Sequence, residues 1–278
     1  MCGICGIASS TSSIPSMETL QSMARAMHHR GPDQEGFHHE PGVGLGFQRL
    51  AIIDLSGGHQ PMSNEDDSCW IVFNGEIYNF QELHQRLEAT GRHRFKTRSD
   101  TETILHLYEE YGEECVSHLR GMFAFAIWDR RKKTLLAARD RFGKKPFFYF
   151  VSAAGEFVFA SELKSLVKHA ACPRTVDTHA IHLYLSLQYI PAPRTIYVGV
   201  SKLPAAHALR WSPERGVQAW RYWDLRYEPK ERLSLAEAQE RLRARLTESV
   251  KLRMISDVPL GAYLSGGVDS SIIVALMA

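Results

Sequence analysis

The chain has 278 residues, 44% hydrophobic and 23% charged. That is ordinary for soluble globular proteins and excludes wholesale disorder, while allowing one large domain or two of usual size. Its 33 Lys and Arg against 31 Asp and Glu leave a net charge of +2, which gives no electrostatic argument for a nucleic-acid or membrane partner.

The longest apolar run, 122–128, is far short of the roughly 20 residues that a membrane span needs. Met1-Cys2-Gly3-Ile4 has neither the basic nor the apolar region of a secretory signal. Cys2, Cys5, Cys69, Cys115 and Cys172 form an odd, scattered set. The expectation is reduced thiols and a cytoplasmic location.

In chain order, Ser16 caps a helix carried by Met17, Leu20, Met23, Ala24 and Met27, and Arg30-Gly31-Pro32-Asp33 stops it. Residues 45–53, 70–73, 122–128, 135–139, 147–151 and 157–160 are rich in aromatic and β-branched side chains and read as strands. A helix is predicted over 80–89. Another runs from Ser99 to Tyr111, with Glu102 three residues after Ser99 in capping-box spacing. This order predicts α+β layers rather than βαβ alternation.

After Tyr222-Trp223-Asp224 the pattern changes. Residues 226–234 read as a polar linker, and Ser234 opens a helix with Leu235, Ala238, Leu242, Leu246 and Val250 on one face. An apolar strand is predicted over 258–264, then a Gly-rich turn at 265–271, then a helix. That order opens an α/β nucleotide-binding domain. One strand in about 50 residues cannot bury a parallel sheet, so the sequence is expected to be an N-terminal fragment whose second domain is truncated. The expected domains are 1–225 and 226–278.

Cys2 carries the first chemical reading. With Met1 removed it bears a thiol and a free α-amine, whose ordinary pKa values of about 8.5 and 8 suit the amine as base for its own side chain. Alone, Cys2 reads first as a small buried hydrophobe at the start of a strand. Cys2 and Cys5 form a CxxC, but zinc needs a second pair or a His cluster, and Cys5 is expected in the core. Asn74-Gly75 alone fits a type I′ turn, Arg49 a strand-edge cation and Asp100 a helix cap. Arg30-Gly31-Pro32-Asp33 reads as a turn without a catalytic role. Phe123, Phe125, Trp128, Phe147, Phe148 and Phe150 are expected in the core, and Arg130-Arg131-Lys132-Lys133 in a solvated turn.

Five segments taken in order carry a resemblance: Arg30-Gly31-Pro32-Asp33, Arg49-Leu50-Ala51-Ile52-Ile53-Asp54, Asn74-Gly75-Glu76-Ile77-Tyr78-Asn79, Ser99-Asp100-Thr101-Glu102 and Gly121-Met122-Phe123-Ala124-Phe125. The set resembles the glutaminase domain of class II, N-terminal-nucleophile glutamine amidotransferases. With Asp140-Arg141-Phe142-Gly143-Lys144-Lys145-Pro146 it is similar to their glutamine-hydrolysing asparagine synthetase branch. Ser265-Gly266-Gly267-Val268-Asp269-Ser270 resembles the pyrophosphate loop of ATP pyrophosphatases, which that branch carries, and lacks the lysine of a Walker A loop.

The resemblance implies an αββα sandwich followed by the start of an α/β ATP-pyrophosphatase-type synthetase domain. It implies that Cys2 attacks the glutamine amide, with Asn74 and the Gly75 N–H as oxyanion donors, the bare Gly75 backbone approaching the substrate. Arg49 then grips the α-carboxylate, Leu50, Ala51, Ile52 and Ile53 add backbone contacts, and Glu76 and Asp100 accept from the α-ammonium. It further implies an ATP and pyrophosphate site at Leu264, Ser265, Gly266, Gly267, Asp269 and Ser270, with Asp269 on Mg²⁺. Glutamine, aspartate and ATP are the implied small molecules. The glutaminase half needs no cofactor, no nucleic acid or membrane is implied, and a homodimer is compatible. Two alternatives remain open at this level: an amidotransferase acting on a sugar or cell-envelope acceptor, and a non-catalytic module that keeps the fold. Phosphoribosyl-pyrophosphate and fructose-6-phosphate amidotransferases share the first domain type, but the 265–270 loop disfavours them.

Overall fold

A computed structural model describes residues 1–11 and 13–278. In chain order the elements are β1 (Gly3–Ala8), α1 (Met17–Arg25), β2 (Gln34–Glu40), β3 (Val43–Arg49), β4 (Met62–Ser63), β5 (Cys69–Ile77), α2 (Phe80–Glu88), α3 (Asp100–Tyr111), α4 (Cys115–His118), β6 (Gly121–Asp129), β7 (Thr134–Arg139), β8 (Phe148–Val151), β9 (Phe157–Ala160), α5 (Leu163–Leu166), α6 (Thr178–Leu187), β10 (Ser201–Lys202), β11 (His207–Ser212), β12 (Gly216–Arg221), α7 (Leu235–Leu252) and α8 (Val268–Met277).

The strands form two six-stranded antiparallel sheets. The first runs β10-β8-β9-β1-β3-β2 and the second β12-β11-β7-β6-β5-β4. Alternating side chains give each sheet two apolar faces, and three buried clusters fill the spaces so created. Between the sheets, Ile4, Leu45, Phe47, Phe147 and Phe159 of the first sheet and its flanks meet Val72, Ala126, Trp128 and Trp211 of the second. Outside the second sheet, Ile71, Phe73 and Phe125 pack under Leu83, Leu87, Ile104 and Leu107 of α2 and α3. Outside the first, Cys5, Ile7 and Val158 pack under Leu20, Met23 and Leu166 of α1 and α5. The result is the αββα sandwich.

The local chemistry of several elements follows the sequence. Ser16 accepts from the Thr19 N–H to cap α1, and Ser234 and Glu237 complete a capping box on α7. Four expectations are corrected. The strand predicted over 45–53 ends at Arg49, because residues 50–58 turn back to bind the Arg49 side chain. Asn74-Gly75 is no hairpin turn: both lie inside β5, Asn74 opposite Ala124 and Gly75 opposite Phe123 of β6. Ser99 caps α3 by accepting from Thr101, but Glu102 accepts from the Lys96 and Thr97 N–H groups instead of closing a box on Ser99. Residues 258–264 form no strand, having no neighbouring strand among the described residues to pair with.

Candidate active site

Cys2 precedes β1, and its half-buried thiol lies 3.4 Å from the Leu50 N–H, just past the end of the neighbouring strand β3. Its backbone is clamped: the Arg30 Nε donates to the Cys2 carbonyl at 2.8 Å while Nη1 pairs with Glu162 at 2.9 Å. Asp33 reaches the other side, accepting from the Ala51 N–H at 2.9 Å. The Arg30–Asp33 segment therefore positions Cys2 and the strand-end loop, beyond the simple turn read from its sequence. Gly31 permits this: a Cβ there would meet the Gln48 carbonyl oxygen at 2.4 Å.

Cys2 opens into a cavity of about 330 Å³, lined by Arg49, Leu50, Ile52, Ile53, Asn74, Gly75, Glu76 and Asp100 among others. The fold thus gathers eight of the residues singled out with Cys2 from the end of β3 and the loop after it, from β5 and from the start of α3. Ala51 is the exception. It is not among the lining residues, and its N–H is held by Asp33.

Asn74 comes from the second sheet and Cys2 from the first, so the cavity sits where the two sheets meet. Asn74 is 1% exposed, and neither its Nδ2 nor its Oδ1 has a hydrogen-bond partner among the described residues. A buried amide left unpaired costs about 1–3 kcal/mol, and its presence at the cavity wall marks a donor awaiting an acceptor. Gly75 needs its missing side chain for a reason other than the one expected. A Cβ would meet the Met122 carbonyl at 2.3 Å, so the requirement comes from the adjacent strand.

Arg49 is buried and donates to Gln34 Oε1 at 2.9 Å and to the carbonyls of Leu55 at 3.1 Å and Asp54 at 2.6 Å. It has no carboxylate partner among the described residues, which leaves its charge available for an anion. At the opposite polarity, Asp100 is 4% exposed and accepts from the Ile77 N–H at 2.9 Å. Burial, reinforced by the nearby Glu76 charge, raises its pKa to about 7. Burial also raises Glu76, opposed by Lys145. The thiol of Cys2 is raised by burial too, against the pull of Arg49 and Lys145. An ammonium beside Asp100 and Glu76 would relieve both carboxyls.

Three groups escaped the sequence reading. Lys145 is buried in the cavity, its pKa lowered by burial. It belongs to a quoted motif, which was the available signal. Gln60 lines the cavity and accepts from the Phe73 N–H at 2.6 Å while donating to Thr101. Asp54 accepts from the Gly57 and Arg98 N–H groups, tying the Arg49 loop to the approach to Asp100. No local pattern announces either contact.

The second predicted cluster lies apart, at the start of α8. Leu264 is 60% exposed, and Ser265, Gly266, Gly267 and Asp269 are exposed with it. Ser265 and Ser270 hydroxyls lie 3.0 Å apart, and Gly267 caps the helix without a side chain. The free N–H groups there fit a phosphate. Asp269, the one carboxylate in 258–278, fits a Mg²⁺ ion held largely by phosphate oxygens.

Comparison with known proteins agrees with this geometry. Residues 1–223 match the model of the glutamine amidotransferase domain, and residues 241–278 that of asparagine synthase. The chain is 40% identical over 279 residues to asparagine synthetase [glutamine-hydrolyzing] 1 of Bacillus subtilis, covering 99% of this chain and 44% of that protein. It is also 40% identical to putative asparagine synthetase [glutamine-hydrolyzing] 2 of Methanocaldococcus jannaschii, covering 100% of this chain and 57% of that one. The chain spans about half the length of these relatives. In fold it is similar to glutamine phosphoribosylpyrophosphate amidotransferase of B. subtilis, with a TM-score of 0.58 at 17% identity over 99% of this chain and 63% of that one. Among the described residues no helix is long and apolar enough to cross a membrane. A domain-model match across four-fifths of the chain, on a sandwich of the same fold, makes this chain a member of the glutamine amidotransferase domain family.

Proposed function

We propose that the chain hydrolyses glutamine at Cys2 as the ammonia-generating half of a glutamine-dependent asparagine synthetase. One observation carries the reading: a buried, unpartnered Asn74 amide shares a cavity with the Cys2 thiol. Removal of Met1 frees the Cys2 α-amine, which takes the thiol proton as sulfur attacks the side-chain amide carbon of glutamine. Asn74 Nδ2 and the Gly75 N–H donate to the oxyanion. Arg49 pairs with the α-carboxylate, and Asp100 and Glu76 with the α-ammonium. Leu50, Ile52 and Ile53 wall the substrate. The protonated amine then gives its proton to departing ammonia, leaving a thioester that water hydrolyses to glutamate.

The second half of the reading rests on the printed names of the relatives and on the match of 241–278. In it, ammonia reaches aspartate activated by ATP, giving asparagine, AMP and pyrophosphate. Leu264, Ser265, Gly266, Gly267, Asp269 and Ser270 hold the pyrophosphate end of ATP, and Asp269 its Mg²⁺. The boundary between the two halves falls in the linker at 226–234.

The test is glutamate release from glutamine by the purified chain beside Cys2→Ala, with the intact mass read for Met1. Turnover lost in Cys2→Ala, with Met1 absent from the active chain, is the expected result. Equal turnover by the variant would remove Cys2 from the chemistry.

A further inference from the structure

A second constellation lies along α3, two turns from Asp100 and outside the cavity just described. His106 and Glu109 stand one helical turn apart on α3, and His93 follows α2. Glu65 follows β4. One ligand atom from each lies within 4.8 Å of every other. The separations are 2.7 Å from His106 Nδ1 to Glu109 Oε2, 3.5 Å from His93 Nδ1 to the same oxygen, and 3.8 Å from His106 Nδ1 to Glu65 Oε2. Metal–ligand bonds of about 2.0–2.1 Å in a tetrahedron place neighbouring ligand atoms roughly 3.3 Å apart, and the observed values bracket that edge.

The surroundings argue for more than an accidental meeting of charges. Metal-binding imidazoles generally direct their second nitrogen to a carboxylate, and ligating carboxylates are themselves hydrogen-bonded. Here His93 Nε2 lies 2.8 Å from Glu110, and Glu109 Oε1 accepts from Asn64 Nδ2 at 2.7 Å. Glu65 Oε1 accepts from the Arg94 N–H at 2.6 Å. His106 is fully buried. Its Nε2 has no hydrogen-bond partner among the described residues and faces Glu102 at 3.7 Å. Of the carboxylates present, Glu110 is already paired with Arg92 and Glu102 with backbone N–H groups. Glu65 and Glu109 are left facing the two imidazoles.

We infer that Glu65, His93, His106 and Glu109 form a closed site for one divalent transition-metal ion, with Zn²⁺ the best match to two imidazoles and two carboxylates. All four positions are supplied by protein, which is the pattern of a structural site. Binding takes both imidazoles neutral and fastens the loops at 64–68 and 92–98 to α3.

The test titrates Zn²⁺ alone into the full chain carrying Cys2→Ala, which removes a competing thiol. Bound metal is counted after desalting, and thermal unfolding is followed. The expected result is one zinc per chain and a Tm raised by roughly 5–10 °C at hundredfold excess over Kd. Both effects should vanish in His93→Asn and in Glu65→Gln. Should those variants fail to fold, Co²⁺ is bound to the Cys2→Ala chain instead. The intense visible bands of four-coordinate Co²⁺ support the site, and the weak spectrum of the aqueous ion overturns it. Absence of bound zinc, or binding unchanged in both folded variants, would leave only a hydrogen-bonded network of imidazoles and carboxylates.

Discussion

Asn74 buries both ends of its amide without a partner among the described residues, so the fold bears two unmet hydrogen bonds at that side chain. Asn74→Leu, close in size, is expected to stabilise the chain by about 1–2 kcal/mol while lowering kcat for glutamine hydrolysis about 10²–10³-fold. Thermal melts and steady-state kinetics on one preparation measure both. A destabilised variant with normal kcat would refute the oxyanion role. Asp100 poses the opposite problem in charge. Its folded pKa of about 7 lies above the ordinary aspartate value of 3.8, so the folded state binds the extra proton. Its contribution to stability is fully present below about pH 4 and is lost as pH rises through about 7. Asp100→Asn should abolish that decline between pH 4 and 7, read from melts across the range. Because the ammonium of glutamine favours ionised Asp100, KM for glutamine in the native chain should rise as pH falls below 7.

At the scale of elements, the loop between β3 and β4 matters most. Its carbonyls at 53–55 hold Arg49, and Asp54 reaches Arg98 beside the cap of α3. The C-terminal segment holds the same loop: Asp257 accepts from the Asp54 N–H at 2.7 Å and donates its own N–H to the Ile52 carbonyl at 3.0 Å. Asp257→Ala should loosen the Arg49 wall and raise KM for glutamine roughly fivefold, about 1 kcal/mol for one hydrogen bond, with kcat little changed. An unchanged KM would mean that the loop holds itself. Here the reach of the sequence is clear. Helices α1 and α3 were legible from periodicity and caps, and the strands around Phe125 and Phe159 from residue type. Arg49, Asn74 and Asp100 were legible as a set through motif order. The continuation of β5 through Asn74-Gly75 was not, since the dipeptide favours a turn locally and only the nine-residue pairing with β6 overrides it. Gln60, Asp54 and Arg30 act through contacts spanning 13 to 132 positions in the chain, which no local pattern encodes.

For the molecule as a whole, residues 226–278 contribute little to the three buried clusters. Val250 is their one buried side chain among the described residues, and Ile255 touches a cluster only from its edge. A chain ending at Leu225 should therefore fold with a Tm within about 4 °C of the full one, the effect of roughly 1 kcal/mol in a domain of this size. Loss of Asp257 should still raise its KM for glutamine. A truncated chain that melts far earlier would put the boundary elsewhere. Finally, Cys2 stands at the end of one sheet and Asn74 within the other, so the aromatic layer between them is a spacer. Phe47, Phe147, Phe159 and Trp211 set the gap across which sulfur and amide must meet. Tight packing transmits a change of one methylene, and catalysis tolerates displacements well under an ångström. On the proposed function, the thickness of the hydrophobic interior acts as the caliper of the reaction, and a substitution at Phe147, Phe159 or Trp211, none of which lines the cavity, can detune turnover while leaving every residue of the cleft in place.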